Sequence, residues 1–302
     1  MVRPSFFIVG APKCGTTALS EYLGRHPDIG FSQPKEPRYF CTDFPEVRGV
    51  SHEADYLANC FGHCSDSTQI VGEGSTLYFY SCEAIPNILK FSPDARFIVM
   101  LRNPVDMIYA LHAQRILGLE EDVRDFELAW ALCENRQSGL DIPKHCKDPR
   151  LVDYKALGKL GTHMARISSQ VPQGRLKVIL FEDLTLDARS IYRDVLDFLG
   201  VEDDGQSVFP QVNASKKVRS LLLHTISQKP PACAVRVISR MKAMLGVERL
   251  GMLSRMRGWN VVHEPRQPLS IGMRKVLLEE YSEDIDRLAL LLNRDLSHWK
   301  AL

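Results

Sequence analysis

Phe6-Phe7-Ile8-Val9-Gly10-Ala11-Pro12-Lys13-Cys14-Gly15-Thr16-Thr17-Ala18-Leu19 decides the fold of this chain. An unbroken apolar run ending at a glycine reads as a strand over Ser5–Gly10, because a strand covered on both faces has no need of polar alternation. A loop of small residues leads directly into a helix over about Thr16–Arg25. Leu19, Tyr22 and Leu23 form its apolar stripe, and Gly24 and Pro27 end it. The first turn of a helix carries unpaired N–H groups and a partial positive charge, so strand, loop and helix together hold an anion. Gly15 lets the backbone come close to that anion, Thr16 and Thr17 add hydroxyl donors, and Lys13 adds a full charge.

The spacing nearly fits a nucleoside-triphosphate P-loop: Gly10, four residues, Gly15, then a threonine. The lysine expected directly after the second glycine is missing, and Lys13 sits inside the loop instead. The same alternation of buried run and helical period continues along the chain. Strands are expected at Gln69–Gly72, Ala95–Leu101 and Leu176–Phe181. Helices are expected at about Val105–Leu117, Asp153–Gln170, Arg189–Leu199, Ala232–Leu245 and Ile271–Leu292, and Asp28–Ser67 reads as irregular with only short helical patches. This order predicts an α/β fold: a single domain over residues 1–302 with a central parallel β-sheet flanked by helices and a P-loop-like anion loop.

Composition narrows the function. Of 302 residues, 45% are hydrophobic and 25% charged, which excludes a disordered chain. Thirty-eight Lys+Arg against 37 Asp+Glu leave no global field for nucleic acid or a membrane surface, so any anion site is local. No apolar run reaches the roughly 18 residues of a membrane span, and Phe6–Val9 is too short for a signal-peptide core. The expectation is a cytoplasmic protein whose eight cysteines are reduced thiols. Cys60-Phe-Gly-His-Cys64 is the one close pair, and without a second pair to complete four ligands no metal is expected. One stretch departs from neutrality: residues 214–268 hold eleven Lys/Arg against Glu248 and Glu264, either a packed helix with a basic rim or a lid over a ligand.

A second basic site follows from Arg102. It ends the buried strand Ala95–Leu101 and precedes Asn103-Pro104, at the carboxyl edge of a parallel sheet, where α/β ligands bind. A planar guanidinium there grips phosphate bidentately; the alternative is an ion pair with Asp106.

Pro12-Lys13-Cys14-Gly15-Thr16-Thr17 resembles the 5′-phosphosulfate loop of sulfotransferases that use 3′-phosphoadenosine 5′-phosphosulfate (PAPS). The resemblance extends at intervals over nearly the whole chain, toward the carbohydrate, or heparan-sulfate-type, branch and its bacterial relatives. Lys35-Glu36-Pro37-Arg38-Tyr39-Phe40 is similar to that branch's Lys-Glu-Pro-His-Phe-Phe segment. Gly72-Glu73-Gly74-Ser75-Thr76-Leu77-Tyr78 is similar to its Gly-Glu-X-Ser-Pro-X-Tyr stretch. Arg96 to Asp106 resembles the strand and turn leading to the 3′-phosphate, and Asp295-Leu296-Ser297-His298-Trp299 resembles the usual C-terminal ending.

The resemblance implies PAPS as cosubstrate, without a metal, bound by Lys13, Cys14, Gly15, Thr16, Thr17, Ala18, Arg102, the position of Ala110, Lys217 and Arg219. The family's serine eight residues after the arginine is Ala110 here, a lost hydroxyl contact on the order of 1 kcal/mol. Asn213–Ser220 resembles the late basic segment that closes over the 3′-phosphate side; the competing reading is a solvated basic patch. In-line sulfuryl transfer needs charge stabilisation at the leaving group and a base for the acceptor. Lys13 is assigned the first role, and by the resemblance Glu36 the second. Glu73 reads as structural or substrate-positioning, and His112 as a core or rim histidine. Gly74 stands where the branch often has a lysine. The implied acceptor is a hydroxyl, or an amine, on a sugar, lipid or other small molecule, with specificity in Asp43–Ser67, Leu140–Leu151 and Gln228–Gln267. Two competing readings are a P-loop kinase or nucleoside triphosphatase using Glu182-Asp183, and a catalytically inactive PAPS-binding protein.

Overall fold

A computed structural model describes residues 3–64, 68–210, 216–218, 261–263 and 267–302. Five parallel strands form one sheet: β1 (Phe6–Gly10), β2 (Ile29–Phe31), β3 (Ile70–Glu73), β4 (Arg96–Leu101) and β5 (Leu176–Leu180), in the order β2-β3-β1-β4-β5. The opening run is the middle strand, in register with Gly72 through Phe6 on one side and with Phe97 through Phe7 on the other. Its five residues are all buried, which is why they carry no polar alternation. Successive parallel strands need crossover connections, and helices fill them: α1 (Thr16–Leu23), α2 (Glu53–Phe61), α3 (Ala84–Phe91) and α4 (Pro104–Leu117). Beyond α4 come α5 (Phe126–Ala131), α6 (Cys133–Gln137), α7 (Tyr154–Leu157), α8 (Leu160–Gln170), α9 (Phe181–Leu186), α10 (Ala188–Leu199) and α11 (Ile271–Leu292). A short antiparallel ladder pairs β6 (Lys216–Val218) with β7 (Val261–His263).

Several elements differ from expectation for identifiable reasons. The helix expected over Asp153–Gln170 is two helices, α7 and α8, broken at Gly158-Lys159. Gly158 lies against Tyr281 of α11 so closely that a Cβ there would meet the ring at 2.2 Å. Asp284 of α11 accepts the Gly161 and Thr162 N–H groups at 2.6 and 2.9 Å and so starts α8 afresh. Asp28–Ser67, expected to be irregular, contains β2 and α2. The first is a three-residue edge strand, too short to carry a period; the second is amphipathic, burying Tyr56, Leu57, Cys60 and Phe61. The strand expected to end at Phe181 stops at Leu180, and Phe181 opens α9. The helix expected over Ala232–Leu245, and most of the basic stretch 214–268, lie outside the described residues.

Behind the sheet, Arg136 and Glu121 form a fully buried bidentate pair, with N–O distances of 2.7 and 2.9 Å, and Tyr154 donates a third bond to Glu121 at 2.9 Å. These bonds satisfy both charges where no water reaches. Among the described residues, no helix is long and apolar enough to cross a membrane.

Candidate active site

The carboxyl edge of the sheet gathers the site. From β1 the chain turns through residues 11–15 into α1. Gly15 has φ +89°, a left-handed conformation that favours glycine, and no side chain caps the helix. The first-turn N–H groups are therefore left for an external acceptor, the local feature an anion needs. Lys13 also has a positive φ, +62°. Cys14 is fully buried and its thiol bonds the Pro12 carbonyl at 3.3 Å. Burial pushes that thiol's pKa up, opposed by the positive charges of Arg102 and Lys13. The Cys14 side chain is thus packing, and only its backbone faces the loop's task.

Arg102 follows β4 and stacks over the Phe181 ring, 4.8 Å from guanidinium carbon to centroid. The alternative pairing with Asp106 does not occur: Asp106 is bonded by Arg274 at 3.2 Å. The C-terminal turn braces this corner. Asn103 Nδ2 donates to the Trp299 carbonyl at 2.9 Å, while the indole of Trp299 donates to Glu182 at 2.6 Å. Asp183 takes both arms of Arg294, at 2.5 and 2.6 Å. Glu182 and Asp183, the pair a kinase would need for its metal, are occupied in docking this turn. Among the described residues, no group of three or more His, Cys, Asp or Glu could hold a metal ion.

Glu36 lies on the loop after β2, its side chain 27% exposed. Thr76 Oγ1 donates to it at 3.2 Å, and Arg38 and Lys35 stand at 3.3 and 3.6 Å. Pro12 of the anion loop, Glu36, Arg38, Thr76, Tyr80 and Arg115 line one small pocket of about 40 Å³, partly open to solvent. Val47 and Leu151 join its wall from two of the stretches expected to set acceptor specificity; the third, Gln228–Gln267, lies almost wholly outside the described residues. Glu73 ends β3 behind Glu36, wholly buried, with the Tyr56 hydroxyl donating to it at 3.0 Å. Desolvation pushes its pKa up to about 8, against the opposing bonds of Tyr78 and Tyr56.

His112 is a core histidine: buried on α4 against Phe126 and Tyr154, bonded to the Val123 carbonyl at 2.8 Å, with its pKa lowered by desolvation. Ala110 is also buried on α4. Lys217 lies on β6, in register with Val262, and Arg219 is outside the described residues. Sequence reasoning passed over Lys35, Arg38, Thr76 and Arg115 as site residues. The alternating Lys-Glu-Pro-Arg charges at 35–38 were a signal; for Arg115, a single cation on a helix, there was none.

An open parallel sheet with an uncapped helix start after β1 and an arginine at its carboxyl edge is the arrangement in which α/β proteins bind ligands at the strands' carboxyl ends. The particular kind of protein follows from comparison. Residues 3–229 match the sulfotransferase domain family model, and the chain belongs to that family. It is 31% identical over 270 residues to human carbohydrate sulfotransferase 15, covering 76% of this chain and 45% of that protein. It is 28% identical over 203 residues to mouse heparan sulfate glucosamine 3-O-sulfotransferase 3B1, covering 66% of this chain and 46% of that one. The chain thus spans about half or less of the length of these curated relatives. The crystal structure of a sulfotransferase from Alicyclobacillus acidocaldarius superposes with TM-score 0.71 at 26% identity, covering 100% of both chains.

Proposed function

We propose that the chain transfers the sulfuryl group of PAPS to a hydroxyl of a sugar or other small-molecule acceptor, with Glu36 as base and Lys13 stabilising the leaving group. The observation that carries this reading is the single pocket shared by Pro12 of the anion loop and the Glu36 carboxylate. A phosphosulfate seated on the α1 N-terminus presents its sulfur toward that carboxylate, and an acceptor hydroxyl reaching into the pocket from solvent lies between them. The acceptor oxygen forms its bond to sulfur as Glu36 takes the hydroxyl proton. The bond from sulfur to the bridging oxygen breaks, and 3′-phosphoadenosine 5′-phosphate (PAP) leaves with the electron pair. Lys13 meets the charge that grows there. Arg102 holds the 3′-phosphate, and the loop residues Cys14, Gly15, Thr16, Thr17 and Ala18 supply backbone and hydroxyl donors to the 5′ end. Residues 1–302 act in this reading as one domain. The names of the curated relatives favour a carbohydrate acceptor.

Calorimetric titration tests the donor site: PAP should bind and ATP should not. Transfer of labelled sulfate from PAPS to desulfated heparan or chondroitin oligosaccharides tests the reaction. Preference for ATP, or PAP binding without transfer to any acceptor or to water, would refute the enzymatic reading.

A further inference from the structure

The residue beside the base calls for its own account. Lys35 Nζ lies 3.4 Å from Thr16 Oγ1, at the first residue of α1, and 3.6 Å from Glu36 Oε1. It therefore spans the gap between the anion loop and the base. Its side chain is only 22% exposed, and desolvation lowers its pKa. An ammonium taken out of water calls for charge-assisted bonds of about 2.7–2.9 Å. Both of its contacts are longer, so they leave donor capacity for another anion. The carboxylates nearby do not neutralise the cluster. Glu36 is shared with Arg38 at 3.3 Å, and burial favours the uncharged form of Glu73. Lys35, Arg38 and Glu36 together leave one positive charge in excess next to the loop.

The backbone is built to keep the ammonium there. The Lys35 carbonyl accepts from Ser32 Oγ at 3.0 Å and from the Gly74 N–H at 3.2 Å, tying the loop after β2 to the end of β3. Gly74 lies beside the lysine stem: a Cβ at 74 would touch Lys35 Cε at 3.4 Å, an ordinary contact, and press on Ser20 Oγ at 3.2 Å and the Phe31 ring at 3.3 Å. A side chain rising from position 74 would therefore start alongside the Lys35 stem, beside the first turn of α1.

Resting on the sulfotransferase reading, we propose that Lys35 is a second catalytic cation, bonding the non-bridging oxygens of the sulfuryl group as it passes from PAPS to the acceptor. It gives up no proton; the acceptor's proton goes to Glu36, and the electron pair leaves on PAP. Because the sulfuryl group is in transit between the loop and Glu36, the contact is strongest in the transition state and adds little to binding of PAP.

The test measures two quantities on Lys35→Met, Lys35→Arg and the double variant Lys35→Met/Gly74→Lys. One is the PAP dissociation constant; the other is the single-turnover release of PAP from PAPS, with water or desulfated heparan oligosaccharides as acceptor. Lys35→Met should bind PAP within about threefold of the parent and lose about 10²-fold in rate. A lysine supplied from position 74 should recover at least tenfold of that loss, which a merely structural role for Lys35 would not allow. Lys35→Met turning over within threefold of the parent would overturn the proposal. So would parallel loss of rate and PAP binding that neither Lys35→Arg nor the double variant repairs. If the unmodified protein binds no PAP, the sulfotransferase reading itself falls; if it binds and turns over normally while Lys35→Met does so equally well, only the role of Lys35 falls.

Discussion

Glu73 makes the stability of this protein depend on pH in a direction opposite to that of an ordinary salt-bridged acid. Its carboxyl is wholly buried at the end of β3, and Oε1 has no hydrogen-bond partner among the described residues. Its pKa rises from 4.5 to about 8, chiefly through desolvation. Below pH 4.5 the group is protonated in both folded and unfolded chains, and the full stability is present. Between 4.5 and about 8 the unfolded chain releases the proton while the folded chain keeps it, so stability falls by about 1.4 kcal/mol per pH unit. The loss across the window is on the order of 4–5 kcal/mol and levels off above it. Glu73→Gln has nearly the same shape, stays neutral, and removes this dependence. The variant should therefore gain on the parent steadily from pH 5 to 8.5. At roughly 2–4 °C per kcal/mol, the difference in Tm should open by about 10 °C or more. Thermal unfolding of both proteins at constant ionic strength measures it, and taking the difference at each pH cancels the other titrating groups. A flat difference, or a parent that gains on the variant as pH rises, would show Glu73 to be ionised when folded and refute the reasoning.

Three further outcomes are expected. If Lys13 stabilises the leaving group as proposed, Lys13→Ala should lower kcat by about 10²-fold or more; kinetics with labelled PAPS checks this. Glu36→Gln should still bind PAP in calorimetry while turnover falls by about 10²–10⁴-fold, and full activity there with loss in Glu73→Gln would move the base. Arg136→Ala leaves the buried Glu121 carboxylate without its bidentate partner and should cost about 3–5 kcal/mol in urea unfolding, whereas Arg136→Met with Glu121→Gln should recover part of it.

Buried parallel strands write themselves plainly in sequence. Phe6–Gly10 and Arg96–Leu101 are covered on both faces, so their apolar runs were legible without any partner in view. The 22-residue helix Ile271–Leu292 was legible for the complementary reason: its length gives the period room to show. The anion loop was equally local, since strand, glycine, threonine and helix start are contiguous, and Lys13 sits within them. The break at Gly158 was not legible, because its cause is Tyr281, which lies more than a hundred residues away. The same holds for the site. Glu36 could be read as a base only through resemblance to a known motif. Its bonds to Thr76 and Arg38, the burial that raises the Glu73 pKa, and the reach of Lys35 to Thr16 all depend on β1, β2 and β3 lying side by side. Sequence by itself determined where backbone donors and buried runs must fall, since those follow from neighbours along the chain. Only the tertiary structure decided which charges meet and which are desolvated, because both depend on distances across the sheet that no local pattern encodes.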